Sequence, residues 1–377
     1  MSAVPKTEPE RDHWLNRVSK QTNRGWTQIY ADKREWLTKG TKMKEDGIGT
    51  KVASVVETPT TVTARRKRSR VPAIYFSVGL LLLLVLIFSL GNQNFLSLYN
   101  LNTIGSYTAI LLLVALGQMN TILIGGIDLS VGGLMSFISV VFITLLKIVG
   151  LWAFPICLVL ALLVGLVNGI VLTRIKIPSF IATLGTGGIL TSLALLVSPL
   201  PVDLPSGSYG LLDIVNGAWL GIPNLLVLAI LGFAFFLLVL RYTPTGRRIY
   251  YPGSNIKMSW MSGVDISRTR NLAFVLSGLG AGVAAILLSC TQYGGDPTSG
   301  NVFILQSIAA VVVGGTALTG GTGGPVNTLI GALILGVMEN GMNVVGVDAY
   351  FQQSILGLVI IISVALTFDR SKTAVVK

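Results

Sequence analysis

The sequence contains little charge and few of the side chains on which enzymes usually depend. Only 12% of its 377 residues are charged, and His13 is the single histidine. Histidine-based catalysis and a metal centre both need several such side chains, so neither is expected, and no cofactor is expected in this chain. No GxxxxGK[ST] sequence occurs, so the chain is not expected to hydrolyse ATP through a phosphate-binding loop. Cys157 and Cys290 each lie within an apolar run, which predicts buried, small hydrophobic side chains.

Long apolar runs make up most of the remaining sequence. Hydrophobic residues form 52% of the chain, and apolar runs recur from Pro72 to Phe368. A helix of about 20 residues crosses about 30 Å of hydrocarbon, whereas the strands of a membrane barrel have only about ten alternating residues. We therefore predict an all-α polytopic membrane protein. Its ten predicted spans lie at about 72–91, 102–124, 128–147, 151–173, 177–198, 218–240, 271–293, 302–319, 325–345 and 350–368.

The distribution of charge predicts which ends of the spans face the cytoplasm. Residues 1–71 contain 16 Lys and Arg against 8 Asp and Glu, a balance that suits an anionic membrane surface and is no argument for nucleic-acid binding. The outside connections would then contain Asp203, Asp213, Asp296 and Asp348, and the inside connections would contain Arg174, Lys176 and the basic loop 241–270. Because basic loops stay on the cytoplasmic side, both termini are predicted to be cytoplasmic. The expected organisation is a polar, basic N-terminal extension (1–71), a transmembrane domain (72–368) and a short tail (369–377).

An acidic residue interrupts the apolar runs at GGIDLSVGG, residues 125–133. Asp128 is predicted to accept hydrogen bonds at the start of the third span, where the helix dipole favours a negative charge and Ser130 can assist. Gly125 and Gly126 would permit a sharp turn, and Gly132 would permit close packing of another span. Direct contact with a transported solute and proton coupling are the two alternatives for Asp128. The glycine content also predicts that the segments around 102–133 and 302–345 are re-entrant or discontinuous.

Five motifs follow one another along the chain and carry a family resemblance. They are GGIDLSVGG (125–133), NGIVLTRIKIPSFIATLG (168–185), NLAFVLSGLGAG (271–282), SIAAVVVGGTALTGGTGG (307–324) and GALILGVMENGMNVVGV (331–347). In this order they resemble the permease subunits of bacterial ATP-driven monosaccharide importers, such as the ribose importer, over roughly residues 75–370. Related permeases for branched-chain amino acids or nucleosides have an Asn-containing sequence in place of GIDLSVG, which favours the sugar branch.

The resemblance implies a fold and a set of partners. Permeases of this family have ten spans, with spans 2–5 and 7–10 related as inverted repeats, and two copies line one pathway in the bacterial inner membrane. Two separate ATPase subunits drive transport, and a periplasmic binding protein delivers the sugar. The loop between spans 6 and 7 docks on the ATPase, which suggests residues 253–264, with Gly253, Asn255 and Gly263 as the coupling residues. The chain departs from the family pattern at Thr191-Ser192, Asn327 and Glu339, and the first and last of these leave the substrate open.

A sugar carries hydroxyl groups and no net charge, so its path is expected to be lined by amides and hydroxyls. The candidates in or beside the spans are Gln118, Asn120, Asn168, Thr183, Gln306, Asn340 and Asn343. For each of them the alternative is an interhelical hydrogen bond that holds the bundle together.

Two other function classes are possible on the sequence. A secondary transporter would need buried charges for ion or proton coupling, and only Asp128 and Glu339 could serve. A membrane enzyme would need a constellation of titratable groups, which the spans do not offer. A permease for another small polar solute is also open.

Overall fold

The computed structural model describes residues 73–204, 206–219 and 221–367. The predicted N-terminal extension and the C-terminal tail lie outside these residues, so the domain boundaries at 71 and 368 stay predictions. Within the described residues the protein is almost entirely helical. The helices are α1 (Ala73–Gly91), α2 (Leu98–Leu123), α3 (Val131–Val149), α4 (Ala153–Ile170), α5 (Ser179–Val197), α6 (Asp213–Asn216), α7 (Asn224–Tyr242), α8 (Pro244–Ser254), α9 (Ile256–Met261), α10 (Ile266–Gln292), α11 (Asn301–Val313), α12 (Pro325–Val345) and α13 (Ala349–Thr367).

All of these helices except α6, α8 and α9 lie at the positions of the predicted spans. By length and composition, seven stretches of the described residues could cross a membrane, and one of them, Val131–Ile175, runs through both α3 and α4. The prediction of a polytopic helical membrane protein is therefore confirmed, while the number of crossings and the orientation of the termini stay predictions.

Several helix boundaries differ from the sequence prediction by four to six residues, and two of them have a clear local reason. Helix α2 begins at Leu98, before the predicted residue 102, because the Ser97 hydroxyl oxygen accepts the Asn100 N–H at 3.3 Å and caps the first turn. Helix α11 ends at Val313, well before residue 319, because the chain enters a glycine-rich segment in which Gly315 has a positive φ of 99°. Apolar composition alone marked neither boundary.

Helices α2 and α10 form the centre of the bundle. In their most apolar stretches 89% and 78% of the residues are buried, against 6% in α1. Glycines bring α10 close to its neighbours, since a methyl group at Gly280 would lie 2.6 Å from the Leu113 carbonyl oxygen of α2. A methyl group at Gly165 of α4 would similarly lie 2.4 Å from the Phe274 carbonyl oxygen of α10. Close backbone approach at small residues is how helices pack in a membrane.

The connections separate into two ends of opposite charge. At the acidic end, strand β1 (Val202–Asp203) pairs antiparallel with β4 (Gly294–Gly295), and a hairpin of β2 (Ala218–Trp219) and β3 (Ile222–Pro223) precedes α7. At the basic end, α8 and α9 lie in the loop 241–270, and α8 contacts the glycine-rich segment 314–324. We use "acidic end" and "basic end" for these two groups of connections.

Candidate translocation site and coupling segment

The turn that contains Asp128 lies in the interior of the bundle. Asp128 is only 2% exposed, and its Oδ1 accepts the Ser130 N–H at 3.0 Å and the Ser130 hydroxyl at 2.6 Å. Its Oδ2 accepts the Ser277 hydroxyl of α10 at 2.8 Å. Ser277 lies 11 residues into α10, which corresponds to about 16 Å along the helix. The connection 124–130 therefore folds back into the protein instead of crossing its surface.

Side chains from three further positions complete this turn. In the amide orientation that satisfies both groups, Gln118 Nε2 donates to the Asp128 carbonyl oxygen at 3.0 Å, and its Oε1 accepts the Asp128 N–H at 3.2 Å. Asn168 Nδ2 donates to the Ser130 hydroxyl oxygen at 2.8 Å, and the Thr183 hydroxyl oxygen accepts the Leu129 N–H at 2.9 Å. We call Gln118, Asp128, Ser130, Asn168 and Ser277 the Asp128 cluster.

Glycines give the turn its shape and its close packing. Gly125 has a φ of +79°, which favours glycine, and Gly126 N–H donates to the Thr121 carbonyl oxygen at 2.8 Å, so the chain reverses directly after α2. A methyl group at Gly132 would lie 2.9 Å from the Gly300 carbonyl oxygen. The first turn of α3 is therefore in direct contact with the start of α11.

Asn168 keeps one hydrogen-bonding atom free beside the turn. Its Oδ1 is buried and has no hydrogen-bond partner among the described residues, and the same is true of Asn120 Oδ1. Asn120 directs its Nδ2 to the Leu116 and Gly117 carbonyl oxygens of its own helix, at 2.7 and 3.2 Å. Buried acceptors are normally satisfied by protein or water. Asn168 Oδ1 is thus an available acceptor next to the Asp128 turn.

A second set of polar side chains connects three helices, nearer the acidic end than the Asp128 cluster. Tyr107 of α2, Gln306 of α11 and Glu339 of α12 form the Glu339 cluster. Gln306 Nε2 donates to Glu339 Oε2 at 2.9 Å, and the Tyr107 hydroxyl contacts both the same Oε2 and Gln306 Oε1, the latter at 2.8 Å. Of the residues selected from the sequence as pathway candidates, only Gln306 belongs to this cluster.

The remaining candidates on α12 make pairwise contacts. Asn340 Oδ1 accepts from Asn100 Nδ2 at 2.9 Å, and Asn343 Oδ1 accepts from Gln352 Nε2 at 2.7 Å. The structure thus brings Gln118, Asn168 and Thr183 together around one turn, whereas Asn120, Gln306, Asn340 and Asn343 lie in other contacts.

The loop 241–270 contains two helices, of which the second is short. Asn255 caps α9, since its Oδ1 accepts the Met258 N–H at 3.0 Å, and Gly263 follows α9 with a φ of +75° and open space around it. Gly253 is different, because it packs inward. A methyl group at Gly253 would lie 2.1 Å from the Leu123 carbonyl oxygen, which also accepts the Gly321 N–H at 2.9 Å.

Several residues that complete these clusters could not be recognised from the sequence. Ser277 and Tyr107 are polar residues inside apolar helices, and no local pattern distinguishes them from other membrane serines and tyrosines. Their partners are 149 and 232 residues away in the chain, so only the tertiary fold brings them together.

These features define a class of protein. The described residues form a helical bundle with apolar outer helices, and its interior contains amides, hydroxyls and two carboxyl groups. Polar groups that are expensive to place in a membrane interior and face the bundle are typical of proteins that move a polar solute.

Comparisons with known proteins narrow this class to a family. Residues 100–364 match the family described as the permease component of the branched-chain amino acid transport system. The chain is 36% identical to the ribose import permease protein of Bacillus subtilis over 78% of this chain and 92% of the relative. It is 34% identical to the ribose import permease protein of Escherichia coli K12 (75% and 90% covered) and 30% identical to the D-allose transport system permease protein of the same strain (78% and 90%). No solved structure matches.

The chain belongs to this permease family, and the recognition of a permease of the ribose-importer type is confirmed. It is a multi-pass membrane protein, and the proteins it resembles are permease proteins for the import of ribose and the transport of D-allose.

Proposed function

We propose that this protein is the inner-membrane permease subunit of an ATP-binding-cassette importer for a monosaccharide or a similar polyol. Two copies would line one pathway, separate ATPase subunits would drive it, and a periplasmic binding protein would deliver the sugar. The observation that carries the proposal is the similarity to ribose and D-allose permeases over about nine-tenths of their length.

The chemistry of the Asp128 turn supports an uncharged cargo. Gln118, Asn168 and Thr183 offer amide and hydroxyl groups, which can both donate to and accept from sugar hydroxyls. Asn168 Oδ1 has no partner among the described residues and is available as an acceptor. We propose these three residues, with the turn 125–132, as the part of the pathway nearest the basic end, and Gln306, Asn340 and Asn343 as candidates nearer the acidic end.

The short helix α9 is proposed to dock on the ATPase subunit. It exposes three large side chains, Met258 (65%), Trp260 (72%) and Met261 (72%), which are otherwise unusual at a polar, basic surface. Through Asn255 it is continuous with α8, and Gly253 of α8 touches the end of α2, directly before the Asp128 turn. Closure of the ATPase on α9 would thus be transmitted to the turn through packed backbone.

The topology follows from the charge distribution. We propose ten crossings, with both termini and the basic end in the cytoplasm and the acidic end in the periplasm. Reporter fusions in the loop 241–270 and in the connection 199–223 would test it, and a periplasmic signal from the former would contradict it.

Uptake by the assembled importer tests the function. The test uses liposomes that contain this chain and its ATPase subunits, together with the binding protein. They should accumulate D-ribose or another monosaccharide only when ATP is present on the side of the membrane that the basic end faces. Uptake by this chain alone, driven by an ion gradient, would instead favour a secondary transporter. Uptake of an amino acid and no sugar would place the chain in another branch of the family.

A matched pair of tryptophans tests the coupling role of α9. Trp260 and Trp219 are 72% and 67% exposed, at the basic and the acidic end. Trp260→Ala should reduce co-purification of the ATPase and sugar-stimulated ATP hydrolysis at least about tenfold, since removing an aromatic anchor of an interface costs about 2 kcal/mol or more. Trp219→Ala should leave both unchanged. Equal effects of the two substitutions would exclude α9 as the docking element.

A further inference from the structure

Glu339 lies in a closed triangle of polar atoms inside the bundle. Its corners are the Tyr107 hydroxyl, the Gln306 side-chain amide and Glu339 Oε2. The Tyr107–Gln306 side measures 2.8 Å, the Gln306–Glu339 side measures 2.9 Å, and the Tyr107 and Glu339 oxygens are also in hydrogen-bond contact. All three sides are therefore hydrogen-bond contacts.

Each of the three contacts needs one hydrogen atom between its two polar atoms. The three side chains place a hydrogen atom in every contact only if the Glu339 carboxyl is protonated. Tyr107 provides one, and Gln306 provides one, because its nitrogen faces one partner and its oxygen the other. An ionised carboxylate provides none, which leaves one side with two facing oxygens and no hydrogen. A carboxylic acid closes the ring, with Glu339 donating to Tyr107, Tyr107 to Gln306 Oε1, and Gln306 Nε2 to Glu339. Exchanging the two ends of the Gln306 amide reverses the ring and leaves the count unchanged.

The surroundings of Glu339 also favour an uncharged carboxyl. The cluster lies on α2, α11 and α12, and neither these helices nor α1 and α13, which pack against α12, contain lysine or arginine. Arg241 at the end of α7 lies beside the start of α12 at Asn327, and Glu339 is 12 residues further along that helix, about 18 Å away. A charge that is partly withdrawn from water and has no partner of opposite sign is unfavourable.

The second oxygen of Glu339 is free and accessible. Oε1 has no hydrogen bond to any described residue, and it is not among the buried unpaired polar atoms of the described part of the chain. Glu339 is only half-buried, so this unpaired oxygen is not fully enclosed by the described residues. In the protonated form Oε1 is a carbonyl oxygen and accepts a hydrogen bond without carrying a charge.

We propose that Tyr107 and Gln306 hold Glu339 as an uncharged carboxylic acid, and that its Oε1 accepts a hydrogen bond from a hydroxyl group of the transported monosaccharide. The second half of this proposal rests on the proposed function. It gives a chemical role to Glu339, one of the positions at which the sequence departs from the family pattern.

Infrared spectroscopy of the full chain in liposomes tests the protonation without any cargo. At pH 8, exposed carboxyl groups are ionised, because their pKa values lie near 4. The wild-type spectrum should contain the C=O stretching band of a protonated carboxyl, and Glu339→Gln should lose it while Asp128→Asn retains it. If Glu339→Gln removes a carboxylate band instead, the uncharged carboxyl is excluded.

Transport kinetics of the assembled importer test the hydroxyl contact. Glu339→Leu should raise the KM for the transported sugar about tenfold, the value of one hydrogen bond of about 1.4 kcal/mol. Ser89→Leu is the control, because among the described residues the Ser89 hydroxyl of α1 bonds only to its own helix, at the Val85 carbonyl oxygen. An unchanged KM in Glu339→Leu would overturn the contact. A wild-type importer that takes up no monosaccharide would contradict the proposed function, while the infrared result would still decide the protonation.

Discussion

Asp128 and Asp296 occupy two turns of the same construction. Each follows a pair of glycines, Gly125-Gly126 or Gly294-Gly295, and each precedes a hydroxyl residue by two positions. Asp128 Oδ1 accepts the N–H and hydroxyl of Ser130, at 3.0 and 2.6 Å. Asp296 Oδ1 accepts the N–H and hydroxyl of Thr298, at 2.6 and 2.7 Å. Such turns compete with helix formation locally and place the helix start after them.

Hydroxyl groups from a neighbouring helix hold the backbone of both turns. Ser179 and Thr183 of α5 accept the Ile127 and Leu129 N–H groups, at 3.1 and 2.9 Å. At the other turn, Ser136 and Ser139 of α3 accept the N–H groups of Gly300 and Asp296, at 3.0 and 3.2 Å. This repetition fits the inverted repeat that the family resemblance implies.

The two turns differ in what surrounds the carboxyl group. Asp128 is buried and its Oδ2 accepts from Ser277, whereas Asp296 is half-buried and no described residue donates to its Oδ2. The same local motif is therefore buried and bonded to a second helix at Asp128, near the basic end. At Asp296, at the acidic end, it is partly exposed. The difference suggests that local sequence sets the turn and that tertiary packing decides whether it is rigid.

Replacing both acids by leucine should give the largest contrast. Asp128→Leu leaves the Ser130 N–H and buried hydroxyls without their acceptor, at about 1–3 kcal/mol for each unpaired group. We expect loss of folded, monodisperse protein in detergent, measured by size-exclusion chromatography and thermal melting. Asp296→Leu should lower the melting temperature by only a few degrees, because water reaches the exposed Thr298. Equal losses would show that burial does not distinguish the turns.

Asparagine should give a smaller contrast and separate geometry from charge. Asp128→Asn keeps an oxygen for Ser130, and its NH₂ group can donate to the Ser277 hydroxyl. We expect it to fold and to retain most of the uptake, and Asp296→Asn to behave like the wild type. Abolished uptake in Asp128→Asn, with normal assembly and ATP hydrolysis, would mean that the charge itself acts in translocation.

The sequence predicts the helices of the fold better than it predicts the contacts between them. Hydropathy located every long helix, because about 20 apolar residues are needed to cross a bilayer. The motif GGIDLSVGG predicted a turn at Asp128, because glycine pairs and an Asp-x-Ser sequence act locally. Neither could reveal that Ser277 faces Asp128 or that Tyr107 faces Glu339, because these contacts depend on how α2, α10 and α12 pack. The same holds for Gly253, which is predicted as a coupling residue and whose backbone touches the end of α2.

Two serines of α10 offer the finest test of the comparison. Ser277 donates to Asp128 Oδ2, while Ser289 donates to Ser139 at 2.9 Å, and Ser139 accepts the Asp296 N–H. Ser277→Ala removes a bond made directly to a buried carboxyl, which costs about 1.5–3 kcal/mol if the carboxyl is ionised. Ser289→Ala removes a bond between two neutral hydroxyls, at about 1 kcal/mol. We therefore expect the melting temperature in detergent to fall further in Ser277→Ala. A larger fall in Ser289→Ala would mean that the Asp296 turn, although more exposed, contributes more to the stability of the bundle.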